Sequence, residues 1–387
     1  MPLLSPSARD LHALAPLRAD VSLGALRHNA RQIMGLAGAA EVMAAVKANA
    51  YGHGAVAVAR ALVDAGVPRF SVANVLEGVA LRDAGIAAPI LVMGAALPEA
   101  LPAYARFGLD LAVTSPEGAE AAVRAAGDGH ALTVHVKADT GMHRLGLDAD
   151  DAVEAVRRLT ATPGITVAGL WTHFANVAGA FTDEQVARFD ALVARVAAEG
   201  VAVPPLLHLA NTGGLLATPA SVRGRQVVRA GGALYGLVSD RMLAGVADLQ
   251  PVMRLVGRIV QVKVVAAGET VSYGRTWRAA VPTLVATVGA GYGDGLPRAL
   301  SNRGRVGIGG ALFPVAGRVC MDMLMVDRGL PGGAAGAGPG AGVRVGDEAV
   351  LFGPGGPSAL DLADAADTIA YDLTCRLTSR VPRVLVD

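Results

Sequence analysis

The sequence has very few cysteines and almost no net charge. Only two cysteines, Cys320 and Cys375, occur in 387 residues, which is too few for a disulfide scaffold and typical of a reducing cytosol. The 34 Lys and Arg residues nearly match the 33 Asp and Glu residues, so the formal net charge is +1. This balance excludes the strongly basic surface that binds nucleic acid or an anionic membrane. We therefore expect a small molecule as the partner.

Long apolar segments and metal-binding spacings are also missing. No run of about 18 apolar residues, the length that a membrane-spanning helix needs, occurs in the sequence. Residues 1–20 contain no basic start followed by a sustained apolar segment, so we expect no export signal and predict a cytoplasmic protein. The eight histidines are never spaced as HxxxH, and we predict no metal site.

Short β-branched segments alternate with alanine-rich amphipathic segments from about residue 42 to about residue 236. Such alternation is typical of repeated βα units around a parallel sheet. Eight candidate strands predict a closed (β/α)8 barrel of the TIM type, in the α/β class. The candidates are residues 41–48, 69–75, 89–94, 109–115, 132–139, 165–174, 205–211 and 226–232.

After about residue 245 the pattern changes to strand-like segments punctuated by glycine. We therefore predict a barrel domain of residues 1–245 and a smaller, mostly β C-terminal domain of residues 246–387. Residues 18–26 are a further candidate strand for the second domain. Residues 331–342 are so rich in glycine and proline that we predict a mobile surface loop there.

One helix can be predicted in detail between the sixth and seventh candidate strands. Thr182 and Gln185 form a capping-box pattern, which predicts that the helix begins there. Gly200 is a suitable end for it. The apolar residues that fall on one face are Val186, Phe189, Val193 and Val196.

Catalytic groups of such barrels lie at the carboxyl ends of the strands and in the following loops. The most informative residue there is Lys47, in AVKANAYGHG (residues 45–54). An ammonium group at a barrel mouth loses hydration, which favours the neutral amine that attacks an aldehyde. From spacing alone, a lysine that extends into solvent is the alternative. The polar residues at strand ends are Lys47, Asn74, Lys137, His173, Asn211 and Arg229.

The segment around Lys47 resembles the signature of alanine racemases in which a lysine binds the aldehyde of pyridoxal 5'-phosphate (PLP) covalently. Lys47 is the matching residue. The resemblance extends over nearly the whole chain, in the family's order, and implies a barrel followed by a β domain. The matching segments are VKADTGMHRLG (136–146), THFA (172–175), VRAGGALYG (228–236), VSYGRT (271–276), GYGDGLPR (291–298), GRVCMDMLMVD (317–327) and SRVPR (379–383).

This resemblance implies a two-base mechanism in a homodimer. Racemisation removes the α-proton from one face of the substrate and returns a proton to the other. Lys47 corresponds to one base. Tyr273, in VSYG, corresponds to the other, which in this family reaches the active site of the partner subunit. Without the resemblance, Tyr273 would be interpreted as a packing residue of a strand.

Cofactor contacts are implied in the same way. Arg229 corresponds to the residue at the pyridine nitrogen of PLP, and His173 to the residue that links it to the catalytic tyrosine. Without the resemblance, these two would be interpreted as a surface ion-pair residue and a core histidine. Because arginine cannot accept a proton, the ring nitrogen should stay unprotonated. The phosphate contacts correspond to the hydroxyls of Tyr51 and Thr212 and the backbone N–H groups of Gly231 and Gly232.

Substrate contacts follow from the resemblance as well. Arg144 corresponds to the residue that binds the substrate carboxylate, and Lys137 to a lysine that is carbamylated in many relatives and would orient Arg144. Met321 corresponds to a backbone N–H donor to the same carboxylate. Tyr292 corresponds to a tyrosine at the substrate entrance. Cys320 and Asp322 line the loop of Met321.

The chain departs from the family pattern at Ser379. The common ending has a tyrosine immediately before RVPR, where this sequence has serine. A tyrosine there narrows the entrance and touches the cofactor phosphate. Its absence leads to the hypothesis that side chains larger than the alanine methyl, such as that of serine, fit the pocket.

The predicted function is the interconversion of L-alanine and D-alanine by a PLP-dependent racemase that supplies D-alanine for peptidoglycan. Three alternatives stay open: a PLP racemase of broader specificity that accepts serine, a PLP-dependent decarboxylase of basic amino acids, and a non-catalytic PLP-binding protein. Arg229 and the VSYG and CMDM matches argue against the decarboxylase. The β domain and Tyr273 argue against the binding protein.

Overall fold

The computed structural model describes residues 15–331 and 342–387. The predicted mobile loop lies outside the described residues, apart from its two end positions, and so do residues 1–14. Contacts between Cα atoms divide the chain into two compact units. We call Leu26–Leu234 with Asp240–Leu249 the barrel unit, and the other described residues the β unit.

Strand β1 (Leu17–Ser22) belongs to the β unit and precedes the eight parallel strands of the barrel unit. These strands are β2 (Glu41–Ala45), β3 (Arg69–Val72), β4 (Ile90–Val92), β5 (Asp110–Val113), β6 (Leu132–Lys137), β7 (Ile165–Trp171), β8 (Leu206–His208) and β9 (Val227–Ala230). Each pairs with the next along the chain from β2 to β8, and β9 pairs with β2. A hydrogen bond from Gln226 N to Leu207 O (3.3 Å) continues the ring between β8 and β9. The predicted (β/α)8 barrel is confirmed.

Helices alternate with these strands, as the sequence pattern predicts. They are α1 (Leu23–Ala37), α2 (Ala55–Asp64), α3 (Val75–Asp83), α4 (Leu101–Phe107), α5 (Pro116–Gly127), α6 (Ala149–Thr160), α7 (Ala180–Ala198) and α8 (Thr212–Ala217). Five of them begin with a side-chain oxygen that accepts a backbone N–H bond, from Ser22, Asn74, Ser115, Asp148 and Asn211. Asn74 and Asn211, two of the polar residues at strand ends, are therefore N-caps.

Helix α7 begins earlier than its sequence pattern predicts. Its N-cap is Gly179, and Thr182 and Gln185 are buried inside the helix, so the predicted capping box is wrong. The Gln185 side chain bonds to other segments instead. Its Oε1 accepts from Ala175 N (2.9 Å) and its Nε2 donates to Thr140 Oγ1 (3.1 Å). These longer-range bonds replace the local cap that the spacing suggested.

Large apolar side chains fill the inside of the barrel. Met43, Leu91 and Trp171 pack together there, and each is at most 2% exposed. The interior is therefore a packed core and not a channel. A site on this unit must lie at one end of the strands, and in such barrels it lies at their carboxyl ends.

The β unit consists of mostly antiparallel strands and two short α-helices. Its long strand β10 pairs with β1 and with two later strands, β13 and β17, and β1 also pairs in parallel with the last strand, β18. The predicted strand within residues 18–26 is thus confirmed for residues 18–22. The elements are β10 (Met253–Val265), β11 (Thr270–Val271), β12 (Trp277–Arg278), β13 (Thr283–Val288), β14 (Arg305–Ile308), β15 (Ala311–Pro314), β16 (Leu324–Asp327), β17 (Glu348–Phe352), α9 (Ala359–Ala366), α10 (Ala370–Cys375) and β18 (Arg383–Val386).

Candidate active site

Lys47 follows strand β2 and begins a left-handed turn. The next four residues, from Ala48 to Tyr51, have φ between 52° and 54°. Non-glycine residues avoid this region at a cost of roughly 1–2 kcal/mol each, and none of the four is glycine. Contacts with the surroundings must therefore hold the turn, and backbone strain of this kind clusters at functional sites.

Two polar side chains bond to the backbone of this turn. Asn49 Oδ1 accepts a hydrogen bond from Ala55 N (2.8 Å) at the start of α2. His53 is fully buried, and its Nδ1 donates to the carbonyl oxygens of Ala50 (3.0 Å) and Tyr51 (2.9 Å). The polar residues of the KANAYGH segment thus stabilise the conformation that places Lys47.

Glu77 fixes the backbone directly after Lys47, and the sequence analysis did not identify it. Its Oε1 accepts from Ala48 N and its Oε2 from Ala73 N, both at 2.7 Å. Asn74 Oδ1 in turn accepts from Glu77 N (3.1 Å). The Asn-x-x-Glu spacing of residues 74–77 is a capping-box pattern. That pattern is the sequence signal that would have found this carboxylate.

Arg229 lies next to the last residue of strand β9 and is 3% exposed. Its terminal nitrogens donate to the backbone oxygens of Thr172 (2.6 Å), His208 (2.8 Å) and Leu209 (2.9 Å), and to His208 Nδ1 (2.9 Å). These bonds employ the four terminal N–H groups, whereas Nε is buried and has no acceptor among residues 15–331 and 342–387. Burial lowers the pKa of Arg229 to about 9, which leaves the guanidinium charged at neutral pH. One N–H of a fixed, buried cation is left for a ligand.

His173 lies among the predicted cationic residues of the site. Its burial, followed by the charges of Arg229, Arg144, Lys137 and Lys47, lowers its pKa well below the ordinary value of 6.5. Its Nδ1 lies 3.4 Å from Nη2 of Arg229, whose N–H groups also donate to Thr172 O and Leu209 O, so the neutral ring accepts a shared hydrogen bond at that atom. The structure brings these five predicted residues together at the carboxyl ends of the strands.

Lys137 ends strand β6 and is 3% exposed. Its Nζ lies 5.0 Å from the centroid of the Trp171 ring, within the range of a cation–π contact. Burial first, and then the charges of Arg144 and Arg229, lower its pKa to about 8. A reactive neutral amine is therefore present near physiological pH. Arg144 lies in the loop after β6 and is exposed.

The residues predicted to bind phosphate come from three segments. Thr212 Oγ1, at the start of α8, accepts from Gly231 N (3.1 Å) and Ala233 N (3.4 Å). A Cβ atom on Gly231 would lie 2.5 Å from Tyr51 Oη, so only glycine lets this hydroxyl approach the backbone. Gly232 follows directly and is buried. The structure thus brings all four predicted residues to one place.

The predicted site residues of the β unit are exposed. Tyr273 is 71%, Met321 52% and Tyr292 41% exposed. The segments that carry the last two are joined, because Tyr292 N donates to Cys320 O (2.9 Å) and Gly293 N to Met321 O (2.8 Å). We call the surface formed by Tyr273, Tyr292 and Met321 the aromatic face.

Tyr273 joins this face through the residue before it. Ser272 Oγ donates to Arg318 O (2.7 Å) and lies 3.4 Å from Cys320 Sγ. These contacts attach the turn that begins at Tyr273 to the segment of Met321. The three residues therefore belong to one surface of the β unit.

Ser379 lies beside the aromatic face and is exposed. Thr378 N donates to Asp294 O (3.0 Å), and Arg380 donates to Asp322 Oδ1 (2.7 Å). The residues on both sides of Ser379 therefore bind the two segments just described. A side chain at this position stands next to the predicted substrate entrance.

The described ranges, 15–331 and 342–387, contain neither a metal-ion cluster nor a membrane-spanning helix. Within them, no three His, Cys, Asp or Glu side chains are grouped so that they could hold a metal ion. The same ranges contain no helix whose length and apolar character would suit a membrane span.

A (β/α)8 barrel with a lysine after its first strand, a buried arginine at its last and a mostly β unit after it defines a class of two-unit barrel enzymes. Two family models match this chain, the N-terminal domain of alanine racemase at residues 21–239 and its C-terminal domain at residues 252–385. The chain belongs to the alanine racemase family, whose members are PLP-dependent isomerases.

Individual alanine racemases are similar to this chain over nearly its full length. The alanine racemase of Chlorobaculum tepidum is 40% identical over 374 residues, which cover 95% of this chain and 94% of that protein. That of Symbiobacterium thermophilum is 40% identical over 386 residues, which cover 97% and 98%. The crystal structure of alanine racemase from D-cycloserine-producing Streptomyces lavendulae is 35% identical, with a TM-score of 0.87, and covers 96% of this chain and 97% of that one.

Proposed function

We propose that this chain interconverts L-alanine and D-alanine with PLP, using Lys47 and Tyr273 as opposed bases. Family membership supports the reaction. The observation that carries the cofactor assignment is Arg229, whose buried Nε has no acceptor in the part of the chain that the structure describes. A pyridine nitrogen is an acceptor that this donor would bind.

The neighbouring residues fit the remaining groups of PLP. The space that Gly231 leaves beside the Tyr51 hydroxyl suits a phosphate, which the hydroxyls of Tyr51 and Thr212 and the backbone N–H groups of Gly231 and Gly232 would hold. Lys47 would bind the aldehyde, because the strained turn places its amine at the barrel mouth.

PLP, when bound, withdraws electrons from the amino acid and weakens its α C–H bond. Lys47 Nζ then takes the α-proton from one face, or returns it there, and Tyr273 Oη does the same on the opposite face. Arg229 donates from Nε and has no site that accepts a proton, so it keeps the nitrogen opposite it unprotonated. Arg229 thereby limits the electron withdrawal and favours return of the proton over side reactions.

The substrate carboxylate is assigned to Arg144 and to the backbone N–H of Met321. Arg144 is exposed, so it needs a partner to fix its direction. Lys137, with a pKa of about 8, supplies enough neutral amine to react with carbon dioxide, and the resulting carbamate would orient Arg144 through its negative charge. His173, with its proton on Nε2, would orient the phenol of Tyr273.

The assembly that we propose is a homodimer with shared active sites. It is supported by the exposure of Tyr273, which is 71%, because a general base must be enclosed with its substrate to work. We further propose that residues 1–245 and 246–387 correspond to the two domains, with the exception of β1 and Tyr235–Ser239, which belong to the β unit. We also propose that the protein is cytoplasmic, as its two cysteines suggest. In a bacterium the product D-alanine would supply peptidoglycan.

Broader specificity is the second candidate, and Ser379 favours it. This exposed serine stands where the family commonly has tyrosine, beside the segment of Tyr292. A larger entrance would admit serine as a substrate. The alanine-to-serine ratio of kcat/KM, compared between the wild type and Ser379→Tyr, tests this, and an equal ratio in both proteins would remove the idea.

Incubation of the purified protein with L-alanine in deuterated water tests the main proposal. We expect optical activity to be lost and one deuterium to enter at the α-carbon of each product. Cofactor absorbance without exchange would instead identify a PLP-binding protein. Release of carbon dioxide from basic amino acids would identify a decarboxylase.

A further inference from the structure

We propose that His135 is a positioning residue for Arg229, acting through His208 from inside the barrel. The proposal rests on the function proposed for Arg229, since its consequence is expressed at the cofactor nitrogen. His135 lies in β6 and His208 in β8, and both are 0% exposed. Trp171 of β7 stacks on His208, with ring centroids 5.6 Å apart and planes at 6°. The two imidazoles thus have fixed ring orientations within the core.

Donor and acceptor requirements fix the direction of the contacts. Arg229 can only donate, so His208 Nδ1, 2.9 Å from its Nη1, must accept. Burial and the Arg229 charge lower the pKa of His208 well below 6.5, so the ring is neutral and carries its single proton on Nε2. His135 Nδ1 lies 3.0 Å from that nitrogen and must accept in turn. The proton of His135 is then on its own Nε2.

The series of hydrogen bonds from Arg229 through His208 to His135 ends near the carboxylate of Asp110. His135 Nε2 is buried and forms no hydrogen bond with any described residue, and Asp110 Oδ2 lies 3.6 Å from it. The Asp110 side chain is 13% exposed, so its charge is only partly screened. Its position favours a proton on Nε2 of His135, the tautomer that leaves Nδ1 able to accept from His208.

The fold makes specific room for the imidazole of His135. Gly169 of β7 is its partner in the strand register. A Cβ atom on Gly169 would lie 2.2 Å from His135 Nδ1, a distance that real contacts do not reach. The strand register also shifts between Val134 and His135. A glycine and a register shift together place this ring against the neighbouring strand.

Loss of the acceptor at residue 135 would act on Arg229 by either of two routes. His208 would keep its proton on Nε2 as a buried donor without a partner, or it would move the proton to Nδ1. A proton on Nδ1 opposes the N–H of Arg229 and removes one of the four bonds that orient the guanidinium. By both routes, the orientation of Arg229 Nε becomes less well fixed.

Two substitutions separate this role from simple packing. His135→Leu keeps an apolar volume but removes the acceptor. His135→Asn places Oδ1 near the position of Nδ1 and keeps it. Thr133→Val, two residues earlier on the same face of β6, is the matched control. Each holoenzyme is characterised by kcat and KM for alanine, by the absorption spectrum of bound PLP, and by nitrogen-15 NMR of labelled histidines.

We expect His135→Leu to lower kcat about tenfold, as for loss of a buried hydrogen bond, with KM changed less than about twofold. The cofactor absorption band should shift, and the His208 resonances should change. His135→Asn should restore kcat and the spectrum to within about twofold, and Thr133→Val should match the wild type. Equal losses in the Leu and Asn variants, or an unchanged spectrum in both, would overturn the proposal, because a packing role predicts those results.

The wild-type NMR spectrum keeps the test valid if a variant fails to fold. A wild-type His208 with its proton on Nδ1 contradicts the argument directly, whereas a proton on Nε2 supports it. Failure of the proposed function is distinguishable, because it would appear in the wild type as absent racemisation, whatever the His208 tautomer.

Discussion

The two groups of candidate site residues differ in how their own chain holds them. On the barrel unit, Arg229 and Lys137 are 3% exposed and Tyr51 is 9% exposed. On the β unit, Tyr273 is 71% and Met321 52% exposed. One chain therefore buries residues that we propose as cofactor contacts, but it leaves exposed the tyrosine that we propose as the second base. The difference is what the proposed homodimer would explain, because a second copy of the chain would cover the exposed residues.

The largest effect is expected when either base is removed. Lys47→Ala and Tyr273→Phe should each lower kcat by about 10²–10⁴, the usual contribution of a positioned acid or base. Only Lys47→Ala should also lose the covalent attachment of PLP. Racemisation assays and the cofactor absorbance of the two variants check this. Normal activity of Tyr273→Phe would show that the exposed tyrosine is not a base.

Mixing the two inactive variants tests whether the sites are shared. After subunit exchange, a mixed dimer would hold one site with both mutations and one with none. About a quarter of wild-type activity should return, because about half of the dimers are mixed and one of their two sites is intact. If both bases come from the same subunit, every site keeps one lesion and no activity returns.

Gly231→Ala should weaken the binding of PLP by disturbing the proposed phosphate contacts of the barrel unit. The new Cβ would lie 2.5 Å from Tyr51 Oη, so the hydroxyl must move away, and we expect the Kd for PLP to rise about tenfold. Equilibrium titration of the apoenzyme with PLP measures the change. Gly35→Ala in α1 is the control, since a Cβ there meets nothing within 4 Å. Equal PLP affinity in both variants would contradict the assigned phosphate site.

Glu77→Gln, also in the barrel unit, should lower stability and activity by a smaller amount. An amide has one oxygen, so either Ala48 N or Ala73 N loses its acceptor, and the turn after Lys47 loosens. We expect the free energy of unfolding to fall by about 1–3 kcal/mol and kcat to fall a few-fold. Chemical denaturation and steady-state kinetics measure both, with the exposed Glu154→Gln as control. The explanation fails if Glu77→Gln behaves like this control.

Lys137 should make the stability of the folded chain depend on pH, an effect of at most a few kcal/mol. Its pKa is about 8 in the folded chain against an ordinary 10.5, so between these values the unfolded chain binds more protons. The free energy of unfolding should therefore rise with pH across this interval, by at most about 1.4 kcal/mol per pH unit. Below about pH 8, Lys137 is charged in the folded chain, and the full cost of burying this charge lowers the free energy of unfolding.

Denaturation in buffer without carbon dioxide tests this sign. The slope of stability against pH should become smaller in Lys137→Met, whereas substitution of the exposed Lys263 of the β unit by Met should leave the slope unchanged. Equal slopes in the wild type and Lys137→Met would show that Lys137 is not desolvated.

Most of the fold was predictable because its signals are periodic. β-branched segments alternate with amphipathic ones, and parallel strands buried on both faces need that pattern. The start of α7 was not predictable, because Thr182 and Gln185 satisfy a local rule whereas Gln185 bonds to distant segments. Local spacing carries no information about such partners.

Residues of the candidate site were predictable only where they belong to a recognisable sequence motif. Lys47, Tyr273 and Arg229 depend on the resemblance to alanine racemases, and their roles stay predictions. The left-handed turn after Lys47 could not be foreseen, since Ala48 and its neighbours lack the glycine that usually marks such backbone. His135 was missed because a polar residue inside a strand gives no sign of its partner in β8.

Reduction with borohydride tests the central claim most directly, that the amine of Lys47 binds PLP. The purified protein is reduced, digested and analysed by mass spectrometry. Our account predicts one peptide with a pyridoxyl phosphate adduct, containing AVKANAYGHG and modified at Lys47. Attachment to Lys137 or Lys263, or no stable adduct in a protein that racemises alanine, would contradict it.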